Sequence, residues 1–413
     1  MSSEPDRLPI LRLLPPDSDL RRGGDVALST VTRLIASGMA ASKAELSAAT
    51  GLSRTTITGV VDRLLRAGVL KREGTMPHAG RGRPAESLAI DPAAGTILLF
   101  DCGARSTRLA VVDLAQRVLA ERTIELNVDT GPTATLEILV GQMHELLAES
   151  QANQRRRCVV IGLPARVDYQ AGVPVRPPIM PGWDGFRVIE PLRAEFDCHV
   201  ILENDANLRA LGESRALAPD QSPLMAVKIG TGVGAGLVTE TGVIHHGSAG
   251  ASGEMGHMRL RSAPPAVCRC GSVACLEAVA SVPALLRRYV ELSEPGGPTP
   301  TTAFELADLI RSGDPTATMA IRESATYLGE AIANMVNIFN PARVVISGIA
   351  TSASDDLLAG LRSMVYERAR PLATRNLQVA FSVLGERAGV AGAVVLGIEY
   401  LLSPVALSRP TYG

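Results

Sequence analysis

The sequence predicts an α/β protein in which a small helical head with a two-stranded hairpin precedes a larger domain of two lobes. Three observations lead to that class. Two short helix signals flank a glycine turn within residues 42–66, and a hairpin pattern follows them. From Gly95 three apolar strands, a helix and a further strand succeed one another. After Pro223 a second apolar block pairs a strand with a glycine-rich turn.

Residues 1–24 are rich in Pro, Asp and Arg with no sustained period, which predicts a mobile arm. Helical order is expected from about Asp25, where Leu28, Val31, Leu34 and Ile35 recur at helical spacing and Gly38 supplies a stop. Ser42 then caps a short helix that ends before Gly51. Ser53 caps another, with Ile57, Val60, Val61, Leu64 and Leu65 on one stripe. Two short helices around a tight turn form a helix-turn-helix, whose second helix presents its first residues to base edges. Those residues are Arg54, Thr55, Thr56 and Thr58, and Asp62 is expected to face away from phosphate.

Beyond Gly68 the pattern is a hairpin, with strands at residues 69–71 and 88–90 and a long tip containing Gly and Pro. This completes a winged helix-turn-helix over residues 25–90. For the tip sequence RGRP, a solvated hairpin turn with surface charge is the alternative to DNA contact. Behind a helix-turn-helix, Arg81 and Arg83, separated by one glycine, suit a narrow minor groove.

Charge supports that placement. The chain of 413 residues is nearly neutral, with 41 Lys and Arg against 42 Asp and Glu. With 46% hydrophobic and 20% charged residues it is too apolar to remain disordered. Yet residues 53–83 hold seven basic side chains against Asp62 and Glu73 alone, a local excess that attracts phosphates. The first residues lack the basic-then-apolar order of a secretory signal, and the apolar run at 388–398 is shorter than the ~20 residues of a membrane helix. A cytoplasmic protein with no membrane partner is expected.

Residues 95–413 make the larger domain, with a lobe boundary expected near residue 220 and a C-terminal helix returning to the first lobe. Three consecutive strands, a helix and another strand predict a ribonuclease-H-like or actin-like α/β architecture, two lobes around a cleft. Three clusters fall at strand ends or turns. GTGVGAG at residues 230–236 follows an apolar strand, and its glycines serve either a tight hairpin or close backbone approach to a phosphate or sugar. Glu203, Asn204, Asp205 and Asn207 emerge together after another strand. Asp205 suits a general base or a hydrogen-bond partner for a sugar hydroxyl, where a bare Asn-Asp pair would only turn the chain. The third cluster is GEMGH at 253–257 followed by CRCGSVACLE at 268–277. His257, Cys268, Cys270 and Cys275 supply one imidazole and three thiols, a closed set suited to structural zinc. A disulfide or buried free thiols are the alternatives; three clustered cysteines in a reducing compartment do not pair among themselves. Cys102, Cys158 and Cys198 are scattered along strands and are expected in the core.

An N-terminal helix-turn-helix, ENDAN, GTGVGAG, GEMGH and CxCGxxxC in this order resemble the ROK family of repressors, open reading frames and sugar kinases, from about Asp25 to about Leu402. The resemblance implies a ROK domain with zinc on His257, Cys268, Cys270 and Cys275, and sugar hydroxyls held by Asn204, Asp205, Glu254, His257 and Glu277. In family kinases the residue matching Asp205 is the catalytic base. His257 would serve metal and ligand through its two ring nitrogens.

Several positions depart from the kinase pattern. Where family kinases read Asp-x-Gly-Gly-Thr, this chain reads Asp101, Cys102, Gly103, Ala104, Arg105, and the bulk of Arg105 is expected to block the nucleotide. Ile349 follows Gly348 where the family has Gly-Gly. Ile179 stands four residues before Trp183, a place where an Asn is frequent, and Ala165 and Arg166 replace Gly-Pro. The resemblance and these departures together imply no catalytic residue. They imply a repressor of carbohydrate genes that binds a palindromic operator as a homodimer or homotetramer and senses a carbohydrate effector. A vestigial pocket and an ATP-dependent sugar kinase are the rival readings.

Overall fold

The computed structural model describes residues 8–14, 24–76, 85–152, 157–349 and 354–408. The head comprises α1 (Gly24–Ala36), α2 (Lys43–Thr50), α3 (Arg54–Arg66) and a hairpin of β1 (Leu70–Met76) and β2 (Ala85–Ile90). Ser42 and Glu45 form a capping box, with Ser42 Oγ accepting from the Glu45 N–H at 3.3 Å and Glu45 Oε2 accepting from the Ser42 N–H at 3.0 Å. Gly51 ends α2 at φ 68°, a backbone state that side chains disfavour, and Ser53 caps α3 through the Thr56 N–H at 3.1 Å. Both strands of the wing are longer than the sequence pattern indicates. The register shifts between Arg72 and Gly74, so a bulge absorbs Glu73 and pairing continues to Met76 opposite Ala85.

The expected free arm at residues 1–24 is corrected for residues 8–14, which are strapped to the body. Leu11 and Leu13 are buried, two residues apart, as in a strand with one apolar face. The Gln116 side chain pairs with Leu11 as a strand neighbour would, accepting from its N–H at 2.6 Å and donating to its carbonyl at 3.0 Å. Prolines nearby hide this short alternation in the sequence.

The first lobe contains β3 (Thr96–Cys102), β4 (Ser106–Asp113), β5 (Val118–Glu125), α4 (Pro132–Ser150), β6 (Arg157–Leu163), β7 (Val167–Asp168), β8 (Val173–Pro174), α5 (Ile189–Phe196), β9 (His199–Asn204) and α6 (Asp205–Ala216). Its main sheet has the order β5-β4-β3-β6-β9, antiparallel from β5 to β3 and parallel from β3 to β9. The second lobe has β10 (Leu224–Ile229), β11 (Val233–Val238), α7 (Leu276–Ala280), α8 (Val282–Leu292), α9 (Ala303–Arg311), α10 (Pro315–Phe339), β12 (Arg343–Ser347), α11 (Asp355–Arg368), α12 (Pro371–Thr374) and β13 (Gln378–Phe381). Its sheet runs β11-β10-β12-β13.

The chain ends with α13 (Ala388–Leu401) and α14 (Pro404–Ser408). The apolar run at 388–398 is thus a buried helix packed against α6, β3 and β6. The two helices touch through glycines: a Cβ on Gly392 would lie 1.9 Å from the Leu208 carbonyl oxygen, and one on Gly212 would lie 2.2 Å from that of Ala388. Head and first lobe share one apolar core, in which Leu46, Ile57 and Leu64 join Ile97, Leu99 and Val394. Among the described residues no helix is long and apolar enough to cross a membrane.

Candidate functional site

β9 delivers the first site residues at its C-terminal end, where Asn204 caps α6. Its Oδ1 accepts from the Ala206 and Asn207 N–H groups at 2.9 and 3.1 Å, and its Nδ2 donates to the Ala165 carbonyl at 2.9 Å. The side chain expected to hold a sugar hydroxyl is therefore already engaged in holding the loop. Asp205, the first residue of α6, is nearly buried and forms an ion pair with Lys228 of β10, on which α6 packs.

β10 and β11 form an antiparallel hairpin whose turn closes with the Gly230 N–H on the Gly232 carbonyl at 2.9 Å. The glycines here make room for protein. A Cβ on Gly232 would lie 2.4 Å from Glu277 Oε2, which accepts from the Val233 N–H at 3.1 Å. Glu254 and His257 lie on the loop after β11; Arg166 Nε reaches Glu254 Oε2 at 3.1 Å and His257 Nε2 stands 3.8 Å from the same oxygen. Burial raises the Glu254 carboxyl above its ordinary range, opposed by the charges of Arg166 and His257 and reinforced by Glu277.

All five expected effector residues, Asn204, Asp205, Glu254, His257 and Glu277, thus line one cleft with Ala104, Ile179, Arg166 and Lys228. Its cavity is about 140 Å³, below the ~300 Å³ of small-molecule pockets, and the Lys228–Asp205 and Arg166–Glu254 pairs lie in its walls. A larger groove of about 630 Å³, lined by Pro264, Arg288, Glu323 and Tyr327, contains none of these groups. Arg105 is exposed and is not among the residues lining the cleft; Ala104 lines it instead. The steric block expected of Arg105 is therefore not what this turn displays. The Gly103 N–H donates to the Ser106 carbonyl at 2.8 Å and turns the chain before that side chain begins.

Sequence reasoning named Arg166 as a departure but gave it no role, and it missed Lys228. The signal for Lys228 was a lone cation in the apolar strand MAVKI. It also missed a network on the buried Glu203. Oε1 accepts from the Tyr169 hydroxyl, from Asn207 Nδ2 at 2.9 Å and from the Asn204 N–H at 2.7 Å, while Oε2 meets His246 Nε2 at 2.8 Å. The Tyr169 and His246 rings touch at a tilt of 53° with centroids 4.0 Å apart, and the carboxylate between their polar atoms ties the first lobe to the loop that carries Glu254.

The His257, Cys268, Cys270 and Cys275 donor atoms all lie within 4.8 Å of one another, an arrangement that suits a metal ion. Cys270 and Cys275 sulfurs are 3.8 Å apart, and His257 Nδ1 is 3.8 Å from Cys268 Sγ. A tetrahedral ion with metal–sulfur bonds of about 2.3 Å requires sulfur–sulfur edges of about 3.8 Å. The geometry and the donor chemistry both fit. In the head, Arg54, Thr55, Thr56 and Thr58 are exposed on α3, with Thr56 Oγ1 bonded to the capping Ser53 Oγ at 2.8 Å. Asp62 is half-buried, 3.6 Å from Lys43 Nζ. Arg81 and Arg83 lie outside the described residues.

Comparison with known proteins bears on these features. A putative xylose repressor of Caldicellulosiruptor sp. (strain Rt8B.4) is 31% identical over 373 residues, 88% of this chain and 92% of the relative. A Thermotoga maritima glucokinase is 30% identical over 304 residues, 71% of this chain and 94% of the relative. A solved ROK family transcriptional regulator, described as a homologue of the E. coli MLC protein, superposes with a TM-score of 0.77 at 24% identity, covering 93% of this chain and 98% of that one. Residues 98–399 match the ROK family model, and the chain belongs to the ROK family.

Proposed function

We propose that this chain is a transcriptional repressor that reads operator DNA with its winged helix-turn-helix and regulates carbohydrate uptake or metabolism in response to a sugar or sugar-derived effector held in the cleft. One observation carries the reading: a capped α3 with an exposed polar face belongs to the same chain as the ROK domain. Likeness to the repressor relative runs over 373 residues, against 304 for the glucokinase.

Arg54, Thr55, Thr56 and Thr58 meet base edges in this reading, and Arg81 and Arg83 enter the minor groove. Asp205, Glu254, His257 and Glu277 receive the sugar, while Asn204 fixes the loop beneath it. A structural zinc on His257, Cys268, Cys270 and Cys275 would brace the loop and fix the His257 ring, leaving Nε2 toward the cleft. The acting form is a cytoplasmic dimer or tetramer. One recognition helix reads too few base pairs for specificity, and two symmetric copies read a palindrome. The effector acts by binding one arrangement of the lobes better than another.

The glucokinase relatives favour a second reading, phosphoryl transfer with Asp205 as base. Against it, Lys228 occupies Asp205 and Ile349 follows Gly348. A vestigial cleft is favoured by the two ion pairs lining it. Gel-shift titration of the protein's own promoter region with and without a sugar panel separates the three. Retarded DNA released by one sugar is expected. Retardation that no sugar alters supports the vestigial cleft, and sugar phosphate accumulating with ATP and magnesium at enzyme-like rates overturns the repressor-only reading.

A further inference from the structure

We propose that the cluster of His257, Cys268, Cys270 and Cys275 is an oxidation site, at which peroxide attacks Cys270 and Cys275 resolves the product as a reversible disulfide. The inference rests on the zinc reading of these four residues proposed above.

Exposure and reach single out the two sulfurs. Within the cluster Cys270 is exposed, whereas Cys268 and Cys275 are buried and His257 is half-buried. A dissolved oxidant selects a thiol by its exposure and its thiolate character, and a sulfur that binds metal does so as the thiolate. The remaining cysteines lack both advantages. Cys102 and Cys158 are buried and Cys198 is half-buried. Burial pushes the Cys102 thiol up to about 12 and that of Cys198 up to about 11, and it lifts Cys158 well above its ordinary value.

Cys275 Sγ stands 3.8 Å from Cys270 Sγ. A disulfide requires that gap to close to about 2.05 Å. The chain next to Cys270 has room to move: Gly271, at φ 84°, has no atom within 4 Å of a Cβ built on it.

The chemistry balances with hydrogen peroxide as the oxidant. The Cys270 thiolate attacks one oxygen, the O–O bond breaks, and hydroxide departs to leave a sulfenic acid on Cys270. The Cys275 thiolate then attacks that sulfur, forming the S–S bond and expelling the second oxygen as hydroxide. Each thiolate has given up one electron, and the peroxide, with two protons from solvent, has become two waters. Of the four donors only His257 and Cys268 are left, too few for a closed tetrahedral site. Two equivalents of a small thiol, themselves oxidised to a disulfide, reverse the change.

A short path leads from the cluster to the cleft. The Leu276 N–H donates to the Met258 carbonyl at 2.9 Å and the Leu260 N–H to that of Ala274 at 3.0 Å, so the segment after His257 is paired with the one holding Cys275. Two residues beyond Cys275, Glu277 holds the Val233 N–H at 3.1 Å in the cleft wall.

The test is a time course of the full chain in hydrogen peroxide, with metal analysis before treatment and peptide mass mapping of every cysteine during it. A disulfide joining Cys270 and Cys275 is expected to form at least about tenfold faster than any change at Cys102, Cys158 or Cys198. Metal release at the same rate is expected, with faster amide exchange in α7, and dithiothreitol with added zinc is expected to restore the starting state. Cys198→Ser, which removes the half-buried thiol outside the cluster, is expected to leave that rate within about twofold. Oxidation of Cys198 ahead of Cys270, or a cluster that keeps its metal and both free thiols after Cys198 has reacted, overturns the inference alone. An untreated chain without metal overturns the zinc reading; the mapping then decides the inference by itself, the disulfide supporting it and two unreacted thiols ending it.

Discussion

Arg215, in the last turn of α6, donates from Nη1 to Glu399 Oε1 of α13 at 2.6 Å. The same guanidinium holds the Gly242 carbonyl of the second lobe at 3.3 and 2.9 Å and the Arg12 carbonyl of the strap at 3.2 Å. Glu399 Oε1 in turn accepts from the Leu14 N–H at 2.8 Å, and Arg33 of α1 donates to the Leu14 carbonyl at 2.6 Å. One buried cation thus ties together strap, C-terminal helix and second lobe, and through Leu14 the first helix of the head. The helix that carries it begins at Asp205 in the cleft.

Removing that cation strands Glu399 and two carbonyls. Breaking a buried pair from one side costs about 3–5 kcal/mol, so Arg215→Ala is expected to lower the melting midpoint by many degrees and to speed amide exchange at Leu11 and Leu14. An unchanged midpoint with unchanged protection of both amides would show that the strap holds without it.

Gly59 sits in the interior of α3 on its exposed side, and a Cβ built there meets no atom within 4 Å. Glycine in a helix interior costs roughly 0.5–1 kcal/mol relative to alanine, with no packing here to justify it. Gly59→Ala is therefore expected to stabilise the free protein by about that amount. On a DNA-reading face the same methyl meets the duplex, so operator affinity is expected to fall several-fold. Opposite signs in a melting curve and a gel shift are the signature. A variant that binds DNA as well as the parent would place Gly59 away from the duplex.

The cluster of His257, Cys268, Cys270 and Cys275 gives a test by composition. Cys270 is exposed while Cys268 and Cys275 are buried, so Cys270→Ser alters the donor set with little loss of packing. Metal analysis is expected to show less zinc per chain, and the cluster's neighbour α7 is expected to lose protection from exchange. One zinc per chain in the variant, as in the parent, would remove Cys270 from the ligand set.

What the sequence disclosed and what it withheld divide along the range of the interactions. Capping of α2 by Ser42 and Glu45, the Gly51 stop and the Ser53 cap act within a few residues, and their spacing alone marks them. His257, Cys268, Cys270 and Cys275 were legible because few chemistries gather three thiols and an imidazole so closely. The pairs Lys228–Asp205 and Arg166–Glu254 join residues 23 and 88 positions apart, and no local pattern encodes them. The strap failed for another reason: Leu11 and Leu13 form too short an alternation to register, and Gln116, the partner of Leu11, lies 105 residues from it. Length excluded the run at 388–398 as a membrane span, but only the tertiary contacts reveal that its glycines seat it on α6.

Arg54 and Arg81 are expected to fail differently when cut to alanine, because the proposed reading has them meet DNA by different means. Arg54 is the first residue of α3, exposed beside Thr55 and Thr58, and in that reading its fork of donors reaches a base edge. Arg54→Ala is expected to cost about 1–3 kcal/mol on the operator, to cost much less on unrelated DNA, and to relax the sequence requirement at one position in each half-site. Arg81, which the sequence pattern assigns to the wing tip, answers in the same reading to groove width and phosphate charge. Arg81→Ala is expected to weaken operator and unrelated DNA by similar factors and to reduce the slope of log affinity against log salt by about one. Binding curves at three salt concentrations on operator, single-substituted operators and random duplex separate the two behaviours. If both variants bind like the parent, neither α3 nor the wing is the reading surface.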